Sequence, residues 1–180
     1  MPIVYKEGDA TDYSAASPVR PLIIAHVCNN VGGWGAGFTG ALDKRFGARP
    51  RDSYRAWYDY SRKESAARPV IFPGEFTPRT FLLGLTQLVR VGDNVYIANM
   101  IAQNGLYSSS NPVPLQYLEL HECLENLRLL AGLMPLPLIQ MPRIGAGLAR
   151  GNWAQISAII EDALPLHEVH VLDLPGASRG

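Results

Sequence analysis

The sequence predicts an α/β fold, a three-layer α/β/α arrangement about a mixed central sheet. Strand-like and helix-like segments alternate along its 180 residues, the ordering that builds a sheet with helices packed on it. The run "LIIAHVC", 22–28, is almost continuously apolar and β-branched, as suits a strand covered by helices on both faces. "GDN" at 92–94 separates two apolar segments and reads as a hairpin, whose antiparallel pair makes the sheet mixed.

The elements follow in order. "IVYKEG", 3–8, opens as a short strand, and 22–28 is the covered one. "FTGALDKRF", 38–46, is a helix with Gly47 placed as its C-terminal stop. "RDSYRAWYDYSRK", 51–63, is a second, more aromatic helix. Asp52 and Asp59 dilute its positive charge, so it reads as a half-buried amphipathic helix and not as a base-stacking surface for RNA. Residues 62–80 carry three prolines and form a long connection. "FLLGLTQLVRV", 81–91, and "NVYIANMI", 94–101, are strands. Leu120, Leu124, Leu127 and Ala131 fall at helical spacing and predict a helix covering one sheet face. "LIQM", 138–141, is a short buried strand. The last helix, from "NWAQISAIIEDAL", sets Trp153, Ile156, Ile160 and Ala163 on one side, with Asn152 as its cap and Gln155 three residues on. "EVHVLDL", 168–174, closes the sheet, and "PGASRG", 175–180, is a flexible tail. This organisation is a single domain over 1–174.

Composition narrows the function classes. Sixteen basic and sixteen acidic residues cancel, so no global field draws the chain to nucleic acid or an anionic membrane, and general nucleic-acid binding is not expected. Cys28 and Cys123 lie far apart and outside any CxxC or Cys/His cluster; they read as reduced, packed thiols of a cytoplasmic protein. His121, His167 and His170 are scattered without metal-ligand spacing, and neither a metal nor a cofactor is expected. No apolar run approaches the ~20 residues of a membrane span.

The stretch "CNNVGGWGAGFTGALDKRFG", 28–47, lies between a buried strand and a helix start, where open α/β sheets place their ligands. A glycine-rich turn there exposes backbone N–H groups beside the positive end of a helix dipole, which favours phosphate. A second such turn is "PRIGAGLARGN", 142–152, and two of them suit a diphosphate. Neither has the GxxxxGK[ST] pattern of triphosphate chemistry. "GWGAGF" fails the dinucleotide fingerprint at Phe38.

Together with "GDAT", 8–11, the segments "IIAHVCNNVGGWGAGFTGAL" and "MPRIGAGLARGNW" resemble the three ligand-binding segments of macro domains, ADP-ribose-binding α/β/α modules. The resemblance runs from Glu7 to Leu174. It is greatest to yeast-type phosphatases acting on ADP-ribose 1″-phosphate and to hydrolases that remove terminal ADP-ribose from glutamate. It implies a macro-type domain whose partner is ADP-ribose or an ADP-ribosyl derivative, with ADP-ribosylated proteins as a further class.

On this resemblance Asp9 accepts from the adenine amino group, with Ala10 and Thr11 beside the base; the local alternative for Asp9 is an Asx turn. Asn29 orients the distal ribose, a task suited to an amide that both donates and accepts, although Asn29 and Asn30 also suit turn chemistry. Gly33, Gly35, Ala36, Gly37 and Phe38 form the first phosphate loop, and Gly145, Ala146, Gly147 and Leu148 the second. Trp34 shields the ribose or packs on the following helix. Arg143 and Arg150 flank the second loop, where their guanidinium geometry suits neutralising diphosphate; the alternative for Arg143 is to pin the loop through backbone carbonyls.

The catalytic positions depart from the better-understood hydrolases. Thr39 stands where one group has a water-positioning aspartate, and Gln103 and Ala149 stand where the glutamate-specific group has its lysine and aspartate. Gln103 forms no Schiff base and Ala149 transfers no proton. His26, Asn29, Asn30, Gln103, Asn104 and Asp43 remain near the expected ribose. His26, with Asn29, is the catalytic candidate because imidazole titrates near neutrality; its apolar strand equally suits a core histidine. A non-catalytic reader of ADP-ribose is the alternative function.

Overall fold

In the computed structural model, which describes residues 1–63 and 65–177, six strands form one sheet flanked by four helices. The order along the chain is β1 (Val4–Glu7), β2 (Leu22–Asn29), α1 (Phe38–Phe46), α2 (Arg49–Tyr60), β3 (Thr86–Gly92), β4 (Val95–Gln103), α3 (Tyr117–Ala131), β5 (Leu138–Met141), α4 (Trp153–Ala163) and β6 (Val169–Asp173). Across the sheet it is β1-β6-β5-β2-β4-β3. All neighbours are parallel except β3 and β4. Five strands therefore present their carboxyl ends at one edge.

The pleat of β2 sorts its side chains between the two faces. Ile23 and Ala25 pack with Ala98 and Met100 of β4 under α3 and α4, against Leu124, Leu127, Ile156 and Ile160. Leu22 and Ile24 turn the other way, to Leu42 of α1, and Cys28 meets Tyr54 and Trp57 of α2. The three-layer expectation holds, and α2 is the half-buried aromatic helix it was read to be. Truncating a fully buried leucine such as Leu124 costs about 2–5 kcal/mol.

Local signals explain the ends of several elements. Gly47 stops α1 at φ 69°, and the Asn152 side chain accepts from the Gln155 N–H at 3.1 Å to cap α4. Asn94, at φ 55°, turns the hairpin. One expectation shifts: the strand read from Phe81 begins at Thr86, because Gly84 takes φ 89° and Phe81 instead packs edge-on to Trp57, 4.7 Å between centroids. α2 begins earlier than read, at Arg49 with Pro50 in its first turn, and ends at Tyr60. In the expected tail Ala177 closes a turn onto Leu174, and 178–180 lie outside the described residues.

Candidate ligand cleft

The loops after β1, β5, β2 and β4 leave the sheet at its carboxyl edge, in that order across it. Between the β2–α1 and β5–α4 loops opens a cleft of about 920 Å³, within the ~300–1,000 Å³ range of small-molecule sites.

Asn29, the last residue of β2, organises the first wall. Its Oδ1 accepts the N–H groups of Val31 (3.0 Å) and Gly33 (2.9 Å), and its Nδ2 donates to the Gly33 carbonyl at 3.0 Å. A Cβ on Gly33 would lie 2.8 Å from that Nδ2, so this wrap requires glycine. From α2 the Tyr54 hydroxyl accepts the Gly32 N–H at 3.1 Å and lies 2.6 Å from the Asn29 carbonyl. Gly35 and Gly37 then take φ 116° and 61°, which side chains disfavour. The Gly35 N–H is held by the Thr39 hydroxyl at 2.9 Å. Those of Ala36, Gly37 and Phe38 meet no acceptor among the described residues, and they sit at the positive end of α1.

The facing loop is built similarly. Gly151 donates to the Gly145 carbonyl at 2.7 Å and Arg150 to that of Gly147 at 3.0 Å. The N–H groups of Gly145, Gly147 and Leu148 have no acceptor among the described residues. The walls approach where a Cβ on Gly37 would lie 3.1 Å from Leu148 Cδ1. Gln103, the last residue of β4, and Leu106 and Tyr107 of the β4–α3 loop line the cleft on the β4 side. There the Arg150 guanidinium lies over the Tyr107 ring, 4.4 Å from its centroid.

His26 lies at the base of the cleft, 2% exposed. Its Nε2 is 2.6 Å from Asn99 Oδ1, an atom that only accepts, so Nε2 donates and Nδ1 is bare. Asn99 Nδ2 donates to Gln87 Oε1 at 3.0 Å, and Gln87 Nε2 to the Ser53 carbonyl at 3.0 Å. A buried polar row thus crosses β2, β4 and β3. Burial drives the His26 pKa down to about 4, against the opposing hydrogen bond to Asn99. Burial also holds the Cys28 thiol well above its ordinary value, reinforced by Cys123, so it offers no thiolate near neutrality.

No protein-family model matches the chain. Among solved structures it is similar to a protein of unknown function from Bacteroides thetaiotaomicron, at 37% identity over 97% of this chain and 99% of that one, TM-score 0.78. It is also 33% identical to a macrodomain protein from Streptomyces coelicolor, over 95% of this chain and 98% of the other, TM-score 0.73. The chain belongs to the macrodomain family. A curated relative, the ADP-ribose 1″-phosphate phosphatase of Lodderomyces elongisporus, is 24% identical over 96% of this macrodomain and 100% of its own length.

The macrodomain brings together most of the residues singled out from sequence and relocates others. Asn29, Gly33, Trp34, Ala36, Gly37, Phe38, Gln103, Arg143, Gly145, Gly147 and Leu148 line the cleft. Asp9 lies beyond it on the β1 loop, which Gln140 fastens by donating to the Ala10 and Asp12 carbonyls at 2.9 and 2.7 Å. Its Oδ1 accepts from the Thr11 N–H and hydroxyl, both at 2.8 Å, and Arg45 approaches Oδ2 at 3.3 Å. Burial raises the Asp9 pKa, but these contacts outweigh it and hold the carboxyl below its ordinary value. Ala10 and Thr11, expected beside the base, are instead buried at 4% and 1% exposure and serve this turn.

Other residues act as fasteners. Asn30 is not on the cleft wall: it donates to Asn104 Oδ1 at 3.1 Å and accepts the Gly105 N–H at 2.8 Å, which ties two loops and takes Asn104 out of the cleft with it. Ala146 packs against the core. The Trp34 indole donates to Asp43 of α1 at 3.0 Å, the packing alternative, while its ring still lines the cleft. Arg143 meets the Asp173 carboxylate of β6, and not backbone carbonyls of the loop, through paired bonds of 2.8 and 2.9 Å, which raise its pKa further. Sequence reading missed Tyr107, Asn99 and Gln87. The last two were visible only as polar letters inside apolar strands.

Proposed function

We propose that this macrodomain binds ADP-ribose across the carboxyl edge of its sheet and hydrolyses its derivatives at the distal ribose. The observation that carries the reading is the pair of facing loops whose free N–H groups, Ala36 to Phe38 on one side and Gly145, Gly147 and Leu148 on the other, converge on one cleft. Hydrogen bonds of this kind to a charged diphosphate are worth about 1.5–3 kcal/mol each. In this reading the ligand lies along the strand order. The β1 loop with Asp9 is at the adenine end, and the β4 loop with Gln103 and Tyr107 is at the ribose end.

The likeness to an ADP-ribose 1″-phosphate phosphatase supports phosphate as the leaving group, with ADP-ribosyl esters on protein as the other substrate class. In the phosphatase reaction a water oxygen bonds to phosphorus and the bond from phosphorus to the anomeric oxygen breaks. That oxygen keeps the electron pair and takes up the water's surplus proton, passed by way of a phosphate oxygen, so that the products are the ribose hydroxyl and hydrogen phosphate. The chain's part is to hold both reactants in line, because effective concentration alone removes much of such a barrier. Asn29 fixes the loop under the ribose, and His26, neutral at its base, acts as a positioning residue.

A binding-only reader is the second reading. It is favoured by the lack of any Asp or Glu among the cleft-lining residues and by a histidine that stays unprotonated near neutrality. Incubation with ADP-ribose 1″-phosphate and, separately, with a glutamate-ADP-ribosylated protein, following released phosphate and ADP-ribose, tests the proposal. Release in either reaction identifies a hydrolase. Calorimetric binding of ADP-ribose without release identifies a reader, and absence of binding overturns the assignment.

A further inference from the structure

The cleft is lined by two arginines in different electrostatic states. Arg143 is paired through both nitrogens with Asp173 and lies between the rings of Tyr5 and Trp153, 5.4 and 5.2 Å from their centroids. Its charge is already compensated. Arg150 has no carboxylate partner among the described residues; its contact is the face of Tyr107. A ring face steadies a guanidinium without neutralising it, and every edge N–H remains free for a ligand.

The position of this cation is specific. Arg150 takes φ 59°, a backbone state that side chains disfavour. The next residue is a glycine of necessity, since a Cβ on Gly151 would lie 2.3 Å from Leu115 Cδ2. Leu115 accordingly donates to the Ala149 carbonyl at 3.1 Å and bridges to Gln103. Gln103 pairs with Asn29 in the β2–β4 register. Gln103, Tyr107 and Arg150 therefore lie on the β4 side of the cleft, with Asn29 as the register partner of Gln103, whereas Asp9 lies on the β1 loop at the far edge of the sheet.

We infer that Arg150, stacked on Tyr107, is the specificity-determining residue that binds a terminal phosphate on the distal ribose and so selects phosphorylated ADP-ribose over ADP-ribosyl esters of protein. This rests on the ADP-ribose reading above and names the substrate class within it. A phosphate monoester carries up to two negative charges and matches a guanidinium fork through two oxygens. A carboxylic ester of ribose is neutral and gains no ion pair there.

The test compares wild type with Arg150→Gln and Arg150→Lys. Affinities for ADP-ribose and ADP-ribose 1″-phosphate are measured by calorimetry at two salt concentrations, with steady-state phosphate release. Arg150→Gln should reduce the preference for the phosphorylated ligand by roughly 10- to 100-fold, and raise KM for it more than it lowers kcat. Arg150→Lys should restore part of the preference. The wild-type preference should fall as salt rises, and that dependence should vanish in Arg150→Gln. Melting curves of the variants establish that the fold is kept, and Tyr107→Leu gives a second route to the same loss without touching the strained residue. Equal weakening of both ligands would place Arg150 on the diphosphate, and an unchanged ratio would leave it a surface residue; either overturns the inference while the ADP-ribose reading stands. A wild type that binds neither ligand overturns that reading and the inference together.

Discussion

His26 and Asn99 stand opposite one another on neighbouring parallel strands and share a buried 2.6 Å hydrogen bond. Donation from Nε2 fixes the tautomer and leaves Nδ1 bare, with Cys28 Sγ beside the ring, 3.7 Å from Nε2 and 3.9 Å from Nδ1. The pair makes the histidine a strut between strands, and burial keeps it neutral.

A pH signature follows from that strut. Burial lowers the folded-state pKa from 6.5 to about 4, so between these values the unfolded chain binds more protons than the native one. The histidine's contribution to stability is complete above pH 6.5 and is lost as pH falls toward 4, a difference of about 3 kcal/mol. Melting temperature followed from pH 7 to 4 should fall less steeply in His26→Gln, whose amide can still donate to Asn99. The turnover profile between pH 6 and 8 should be the same in both proteins. A transition near neutrality that disappears in the variant would restore His26 as an acid or base.

Gly147 separates loop electrostatics from backbone strain. A Cβ there meets nothing within 4 Å, and its φ lies outside the left-handed region. Gly147→Glu should therefore set a carboxylate against the diphosphate, lowering ADP-ribose affinity roughly a hundredfold, or about 2.7 kcal/mol, with the ligand-free melting temperature nearly unchanged. Gly37→Glu should lose affinity and stability together, since φ 61° and Leu148 at 3.1 Å oppose any side chain at about 1–2 kcal/mol. Normal affinity in Gly147→Glu would remove the second loop from the ligand.

Asp9 tests recognition of the base. Asp9→Asn keeps an oxygen for the Thr11 turn but abolishes the charge, and its affinity for ADP-ribose should fall about tenfold or more. Calorimetric values equal to wild type would assign Asp9 to the turn alone.

Removing the Asn29 side chain strips acceptors from Val31 and Gly33 and a donor from the Gly33 carbonyl. Asn29→Ala should cost about 1–3 kcal/mol of stability, lower turnover more than binding, and speed amide exchange at Gly33. Tyr54→Phe should reproduce part of the exchange effect from the α2 side. Slow exchange at Gly33 in Asn29→Ala would contradict the bracing described above.

The glycine loops were legible in sequence because their demand is on the backbone, and positive φ or close approach shows in composition: Gly35, Gly37 and Gly145 all take left-handed φ. The layers were legible from the period of the apolar residues. The chemical state of the site was not. His26 owes its neutrality to burial and its fixed ring to a partner 73 residues away, through a strand register that periodicity does not fix. Arg143 and Arg150 look equivalent as letters, and only the fold gives Asp173 to one and Tyr107 to the other.

The pairing of β1 with β6, which joins Val4 to His170, bears on the order of events during synthesis. The β1 loop comes from the first dozen residues, yet it is fastened by Gln140 and its strand is bordered by one near residue 170. A chain emerging from the ribosome carries the first glycine loop early, but the contacts that fasten the β1 loop and pair its strand exist only once β5 and β6 have been made.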